Sequence, residues 1–563
     1  MTQPLAADDR NRLARESAYR RVSWPRNLAP SSVSYASEGH ALLIGSEVEV
    51  RRAAVTLEDH GLASVTLLLS EAASAIDDDE ADELLRRTRA LPSHALNRGE
   101  AEALTLEGYL GHFRVGLARD GEWLDLARAL AGRDHFDLIL DLGHQPRLDL
   151  ELPPPGYLAS RGAPLEASAL ADWAALVGEF DKPRYFEIDA DLCAHDAQGK
   201  RGCSRCLEVC PADAIASHPG RIAARVEIDP FRCHGVGSCS SACPTGAIRY
   251  RLPEDRQLQH TLAAWLEHYR QAGGRDPVVR FAAAAELADE ARVAGQLIDL
   301  PLEELGSAGH DQWLAALAFG AAEVRIQYLA EMPERLRSFL DDELALAHGL
   351  LEALGLSPER IRAIDADPAT RDAPPRLPAL TPLTKAPEAP SKRERLNRVL
   401  DHLAAQGGGD GGRHALPRGA AYGGIRVDSQ RCTLCLACVS TCPTPALAAG
   451  QEQPALSLRE ADCVQCGLCE ATCPEQAIAL EPGFLAGPER SERRPLHEAA
   501  PFHCIGCGKA FASAATIEAI KAKLAAHPYF SGEAAQRLEM CEDCRVRDVW
   551  RSLARDPEAQ LKV

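Results

Sequence analysis

The chain has 563 residues, with 62 Lys and Arg against 82 Asp and Glu for a formal charge of -20, and is 46% hydrophobic but only 5% aromatic. That length exceeds one compact core and predicts several domains, the composition is that of a folded chain, and the acidic surplus argues against nucleic acid as a partner. No run approaches the ~18 apolar residues of a membrane helix. Arg20-Arg21 is followed by Val22-Ser23-Trp24-Pro25-Arg26-Asn27 rather than an apolar stretch, so twin-arginine export is not expected and a cytoplasmic location is.

In chain order, residues 1–36 read as a polar, irregular segment. An α/β domain is expected over 37–150, with strands at 41–45, 64–69, 112–117 and 136–142 and helices at 48–60 and 81–91. Its first turn, Gly45-Ser46-Glu47-Val48, lacks the glycine run that lets a backbone approach a pyrophosphate, so an ordinary strand-to-helix turn outweighs a nucleotide site there. A second α/β domain is expected over 275–366, with strands at 277–281, 297–302, 323–329 and 361–364. Residues 367–416 read as a linker: a proline-rich stretch (372–390), a short basic helix (391–405) and Gly407-Gly408-Gly409-Asp410-Gly411-Gly412.

Flanking the second α/β domain, a repeat occurs four times, in two adjacent pairs. Each copy opens with an extended segment, at 185–189, 225–229, 424–428 and 455–459, and closes on Cys-Pro followed by an apolar pair. The 19 cysteines cluster there and near the C-terminus, with none between Cys243 and Cys432, which reads as metal ligands in a reducing compartment rather than as disulfides.

The second pair reads Cys432-x2-Cys435-x2-Cys438-x3-Cys442-Pro443 and Cys463-x2-Cys466-x2-Cys469-x3-Cys473-Pro474, a doubled spacing that neither zinc nor disulfides need. It resembles two-cluster bacterial ferredoxins residue for residue, which implies βαββαβ modules holding [4Fe–4S] clusters at 180–255 and 417–485. In that family the fourth cysteine, carried away by its proline-broken turn, ligates the cluster of the other motif. One set is then Cys432, Cys435, Cys438 and Cys473, and the other Cys463, Cys466, Cys469 and Cys442.

The first pair, Cys193-x9-Cys203-x2-Cys206-x3-Cys210-Pro211 and Cys233-x5-Cys239-x3-Cys243-Pro244, departs from this pattern twice. Gln198-Gly199-Lys200-Arg201-Gly202 reads as a surface loop inserted between two ligands, leaving a set of Cys193, Cys203, Cys206 and Cys243. In the second motif Val236 stands where the middle cysteine is due, so Cys210, Cys233 and Cys239 remain. Three thiolates fit a [3Fe–4S] cluster, which is the leading expectation. The alternatives are a [4Fe–4S] cluster completed by His234, water or another oxygen, and a degenerate site without a cluster; His234 itself reads as a bystander.

At the C-terminus, Cys504-x2-Cys507 and Cys541-x2-Cys544 flank a helix candidate (514–526) and define a module over 500–550. Four soft ligands suit a closed, structural, zinc-ribbon-like site, with iron or a further iron–sulfur centre as the alternative; His503 reads as a neighbour.

Two further resemblances bear on partners. Residues 277–365, notably Leu340-Asp341-Asp342-Glu343 and Leu354-Gly355-Leu356-Ser357-Pro358-Glu359-Arg360-Ile361, look like the delta subunit of methyl-viologen-reducing hydrogenases, but without its cysteines, so only that fold is implied. The layout, ending in Met540-Cys541-Glu542-Asp543-Cys544-Arg545, resembles bacterial multi-cluster ferredoxin-like proteins associated with formate dehydrogenase. The fold class expected is therefore a multidomain α/β and α+β protein, non-catalytic, relaying electrons between a dehydrogenase or hydrogenase and an acceptor. The alternatives are an accessory factor that docks to a metalloenzyme and, last, a flavin or nicotinamide reductase.

Overall fold

The computed structural model describes residues 7–26, 31–71, 78–119, 122–197, 199–221, 223–287, 293–383, 385–451, 453–530 and 532–555. The apolar run at 41–44 lies in the central strand, His40–Ser46, of a five-stranded parallel sheet. Ser64–Glu71 and Ser93–Ala95 lie to one side, Leu138–Asp141 and Tyr157–Ala159 to the other. Ala41 and Leu43 join one core and Leu42 and Ile44 another, because a parallel strand is covered on both faces. At the turn, Ser46 caps the helix Glu47–Thr56 by accepting from the Glu49 amide. The strand expected at 112–117 is Arg114–Arg119, and it joins not this sheet but an antiparallel meander with Leu104–Glu107 and Glu122–Asp125, as short connections require.

Residues 1–36 are not irregular throughout. Ala7–Arg21 is a helix, and Ser32–Ser37 pairs antiparallel with Gly178–Pro183. The helix packs on Asp255–Gln271, with Tyr19 and Trp265 ring centroids 4.6 Å apart. Its buried face is built on Ala14 and Ala18, too small to stand out as an apolar stripe among charged neighbours.

A four-stranded parallel sheet follows, in the order Leu297–Leu302, Val278–Ala283, Glu323–Gln327, Ile361–Ile364. Helices His310–Ala318 and Glu334–Ala353 share its core with Ala14 and Ala18. The segment expected as a linker enters the same core: the helix Lys392–Ala404, capped by Ser391, buries Leu396, Val399, Leu400 and Leu403. Three of its basic side chains, Lys392, Arg393 and Arg395, are buried, with backbone carbonyls receiving their donors.

Each cysteine-rich block has the element order βαββαβ. In the first, Phe186–Ile188 pairs with Ile248–Tyr250 and Ile215–His218 with Arg225–Ile228, and the helices are Arg205–Glu208 and Ser238–Ala242. In the second, Gly423–Val427 pairs with Ile478–Pro482 and Leu447–Ala449 with Ala455–Arg459, around helices Ala437–Ser440 and Leu468–Thr472. The inserted loop of the first block is a small hairpin, Asp196–Ala197 against Lys200–Arg201, with Gln198 outside the described residues. Beyond the second block, Pro501–His503 and Ala510–Ser513 form a hairpin and Glu542–Arg555 a helix. Among the described residues no helix is long and apolar enough to cross a membrane.

Candidate iron–sulfur centres

In the second block each C-x2-C-x2-C loop turns through two left-handed residues, Leu434 and Leu436 (φ 59° each) in one motif and Gln465 and Gly467 (φ 51° and 81°) in the other. Such turns aim successive amides at a common centre, and the amides of Leu434 and Gln465 donate to the sulfurs of Cys432 and Cys463. Two cavities result. Cys432, Cys435, Cys438 and Cys473 line one, closed by Leu434, Leu456 and Ile478. Cys442, Cys463, Cys466 and Cys469 line the other, closed by Ile425, Leu458 and Leu480. Each cavity takes three cysteines from one motif and the fourth from the other.

In the first block, burial pushes the Cys206 thiol up to about 12, with Cys243, Cys203 and Cys193 adding to the shift, so these three lie within electrostatic reach of Cys206. Burial likewise raises Cys239, followed by Cys233 and Cys210, which form a second group. The left-handed pair recurs here at Gly235 and Gly237 (φ 82° and 94°), so Val236 occupies the backbone position that Cys435 and Cys466 hold in the other two loops. His234 turns elsewhere, with Nε2 2.9 Å from the Pro153 carbonyl to which it donates. The loop Leu305–Ser307 of the four-stranded domain packs over the Val236 turn. Ser241 Oγ donates to the Gly306 carbonyl at 2.7 Å, and a Cβ on Gly237 would lie 2.3 Å from the Ser307 nitrogen.

These residues fit cationic inorganic cores. Burial pushes Cys438 up to about 12 and Cys233 and Cys466 to about 11, with neighbouring thiols contributing, so without a positive partner they stay protonated. A bound metal inverts that preference and deprotonates them outright. Among the described residues, the group of metal-ligating side chains that closes around a single ion is a different one: the sulfurs of Cys504, Cys507, Cys541 and Cys544 all lie within 4.8 Å of one another. Tetrahedral zinc with Zn–S bonds near 2.3 Å separates its sulfurs by about 3.8 Å, and Cys507 and Cys541 stand 3.6 Å apart. Cys504 is buried, which raises its pKa, but the amides of Cys541, Gly506 and Cys507 outweigh that and bring it down to about 6. The first knuckle is the tip of the hairpin, whereas the second lies at the start of the helix Glu542–Arg555; a zinc ribbon, the expectation, would place a second hairpin there.

The cysteine groups follow one another through the molecule. Cys239 lies within electrostatic reach of Cys206 and Cys243, Cys466 of Cys203, and Cys469 of Cys438. The two blocks meet at Arg205, whose Nη1 lies 3.5 Å from Cys203 Sγ and 3.3 Å from the Val464 carbonyl while Nη2 donates to Gly419 at 2.9 Å. At Gly202 a Cβ would reach within 2.8 Å of Leu468. At the far end, Ser513 and Thr516 hydroxyls both donate to the Thr433 carbonyl, tying the four-cysteine knuckles to the residue beside Cys432.

Comparison with family models agrees with this geometry: residues 201–247 and residues 431–478 each match a 4Fe-4S dicluster domain. The second match spans all eight cysteines of its block; the first begins at Arg201, within the insertion, and so leaves Cys193 outside. No curated protein matches the chain. The chain therefore carries two 4Fe-4S dicluster ferredoxin domains, which point to iron–sulfur electron transfer.

Proposed function

We propose that the protein is a four-centre electron relay in which the cysteine sets act in the spatial order Cys210/Cys233/Cys239, Cys193/Cys203/Cys206/Cys243, Cys442/Cys463/Cys466/Cys469 and Cys432/Cys435/Cys438/Cys473. The observation that carries this reading is the junction between the blocks, where Arg205 and the close approach of Gly202 to Leu468 set Cys203 beside Cys466. Two ferredoxin domains tethered for separate errands would not need that contact. Each iron–sulfur group supplies one-electron chemistry without substrate or proton.

The three-thiolate set suits [3Fe–4S]: Val236 offers no donor, His234 is committed to Pro153, and Leu305–Ser307 packs over the turn where an outside ligand would enter. Cys435 and Cys507 are exposed, which makes their end of the array the place where electrons are exchanged with a partner of dehydrogenase or hydrogenase type. Trp550 and Ile505, 68% and 51% exposed beside the four-cysteine knuckles, give that end an aromatic and aliphatic docking surface. The resemblance of the layout to ferredoxin-like proteins associated with formate dehydrogenase supplies the partner class in this reading, and the accessory-factor role is the second one, favoured by the same exposed surface.

Anaerobically purified protein should contain about 15 irons per chain and show an oxidised-state [3Fe–4S] EPR signal that dithionite abolishes. About 8 irons, confined to the second block, would sink the relay in favour of docking or assembly. The C-terminal cysteines hold zinc in this reading. Metal analysis of Cys541→Ser should then show loss of about one zinc per chain with iron unchanged, whereas lost iron at constant zinc would make that site an iron centre.

A further inference from the structure

We infer that Lys392 and Arg393, adjacent residues in the stretch that reads as a linker, form a two-pronged cationic clamp that sets the reduction potentials of the two inner centres and fixes one ferredoxin block against the other. The inference rests on the relay reading, in which Cys243 and Cys463 belong to those inner centres. Lys392 Nζ donates to the carbonyls of Ser240 (2.9 Å) and Ser241 (3.0 Å), inside the turn that links Cys239 to Cys243. Arg393 donates through Nε to the Ala461 carbonyl (2.8 Å) and through Nη2 to that of Cys463 (3.0 Å). One dipeptide thus carries one cation into each block.

Its placement is costly on every other count. Both residues lie in the first turn of the helix Lys392–Ala404, where the helix dipole disfavours positive charge. Both are buried, Lys392 at 8% and Arg393 at 6% exposure, where an uncompensated charge is expensive. Lys392 nonetheless stays an ammonium: burial pulls its pKa down, but Asp311, Asp255, Cys243 and Glu343 together lift it above the usual lysine value. Asp311 Oδ1 lies 3.7 Å from Nζ. Arg393 stacks its guanidinium over Tyr422, 4.4 Å from the ring centroid, and Tyr422 in turn meets His310 Nε2 at 2.8 Å. Asp311 balances the Lys392 charge on one side, and the carbonyls that both cations grip lie within three residues of Cys243 and Cys463, where negative charge on a centre would face them. Thiolate-ligated iron–sulfur groups are such charges, and they become more negative on reduction.

A cation close to a centre favours its reduced form, so removing the cation lowers the potential. EPR-monitored redox titration of the whole protein should show Lys392→Gln lowering the centre on the Cys243 set and Arg393→Gln the centre on the Cys463 set. Each reduction equilibrium should weaken about tenfold, equivalent to about 59 mV for a one-electron couple. Lys392→Arg and Arg393→Lys should restore the wild-type values. Asp311→Asn, which strips the counter-charge and leaves Lys392 in place, should move the Cys243 centre the opposite way, and this variant decides the matter if a glutamine variant does not hold its iron. Full iron with unshifted potentials, or shifts equally large in the charge-conserving variants, would overturn the clamp alone. Wild-type protein without iron in the Cys193 or Cys463 sets would overturn the relay reading beneath it.

Discussion

Val236→Cys should raise the iron content by about one atom per chain, from about 15 to about 16, and abolish the oxidised-state [3Fe–4S] EPR signal. The backbone already has the required form. Residue 236 lies between left-handed Gly235 and Gly237, as Cys435 lies between Leu434 and Leu436 and Cys466 between Gln465 and Gly467. A Cβ at that position points where the middle thiolate points in the other loops, and cysteine is smaller than valine, so the packed loop Leu305–Ser307 need not yield. The amide of Gly235 donates to Cys233 as those of Leu434 and Gln465 donate to Cys432 and Cys463, so the donor pattern that stabilises the site's negative charge is also complete. Iron analysis and EPR of wild type and variant side by side check the result. A wild type that already holds about 16 irons would mean that a non-cysteine ligand completes the site, and a variant that keeps the signal would mean that residue 236 does not face the open corner.

The cysteine spacing made the centres legible because metal ligation imposes short, local constraints: C-x2-C-x2-C admits few backbone paths, and the proline after the fourth cysteine ends the turn. Strands at 297–302, 361–364 and 455–459 are equally plain, since short segments rich in apolar residues, run together or alternating with polar ones, suit a strand. The helix Ala7–Arg21 escaped because it buries alanines rather than leucines. Residues 367–416 read as a linker for a different reason. Proline, glycine and basic residues normally mark solvent-exposed chain, and nothing local reveals that carbonyls 151 and 152 residues earlier and 68 and 70 later receive Lys392 and Arg393. One signal was available: two cations in the first turn of a helix oppose its dipole, and such a placement asks for a distant partner. Arg205 had no comparable mark, because its role appears only when two blocks separated by more than 200 residues meet.

Two double substitutions should separate crossed from uncrossed ligation in the second block. The cavities group Cys435 with Cys473 and Cys466 with Cys442. Cys435→Ala combined with Cys473→Ala therefore removes two ligands from one set and none from the other. It should cost about four irons and leave the Cys463 set with its own EPR signature and potential. Cys435→Ala combined with Cys442→Ala removes one ligand from each set. Since three thiolates suffice for [3Fe–4S], that protein should lose about two irons and gain two new oxidised-state signals. Uncrossed ligation exchanges the two results, because Cys435 and Cys442 would then share a set. The contrast survives partial loss of cluster, since it depends on how damage is distributed rather than on how much occurs. It also bears on the relay: crossed ligation ties each centre to both motifs, so the βαββαβ core and both cavities form together. A single lost cysteine then weakens one centre while the turns that hold the other, Gln465 and Gly467 for the Cys463 set, remain pinned by their own strands Ala455–Arg459 and Ile478–Pro482.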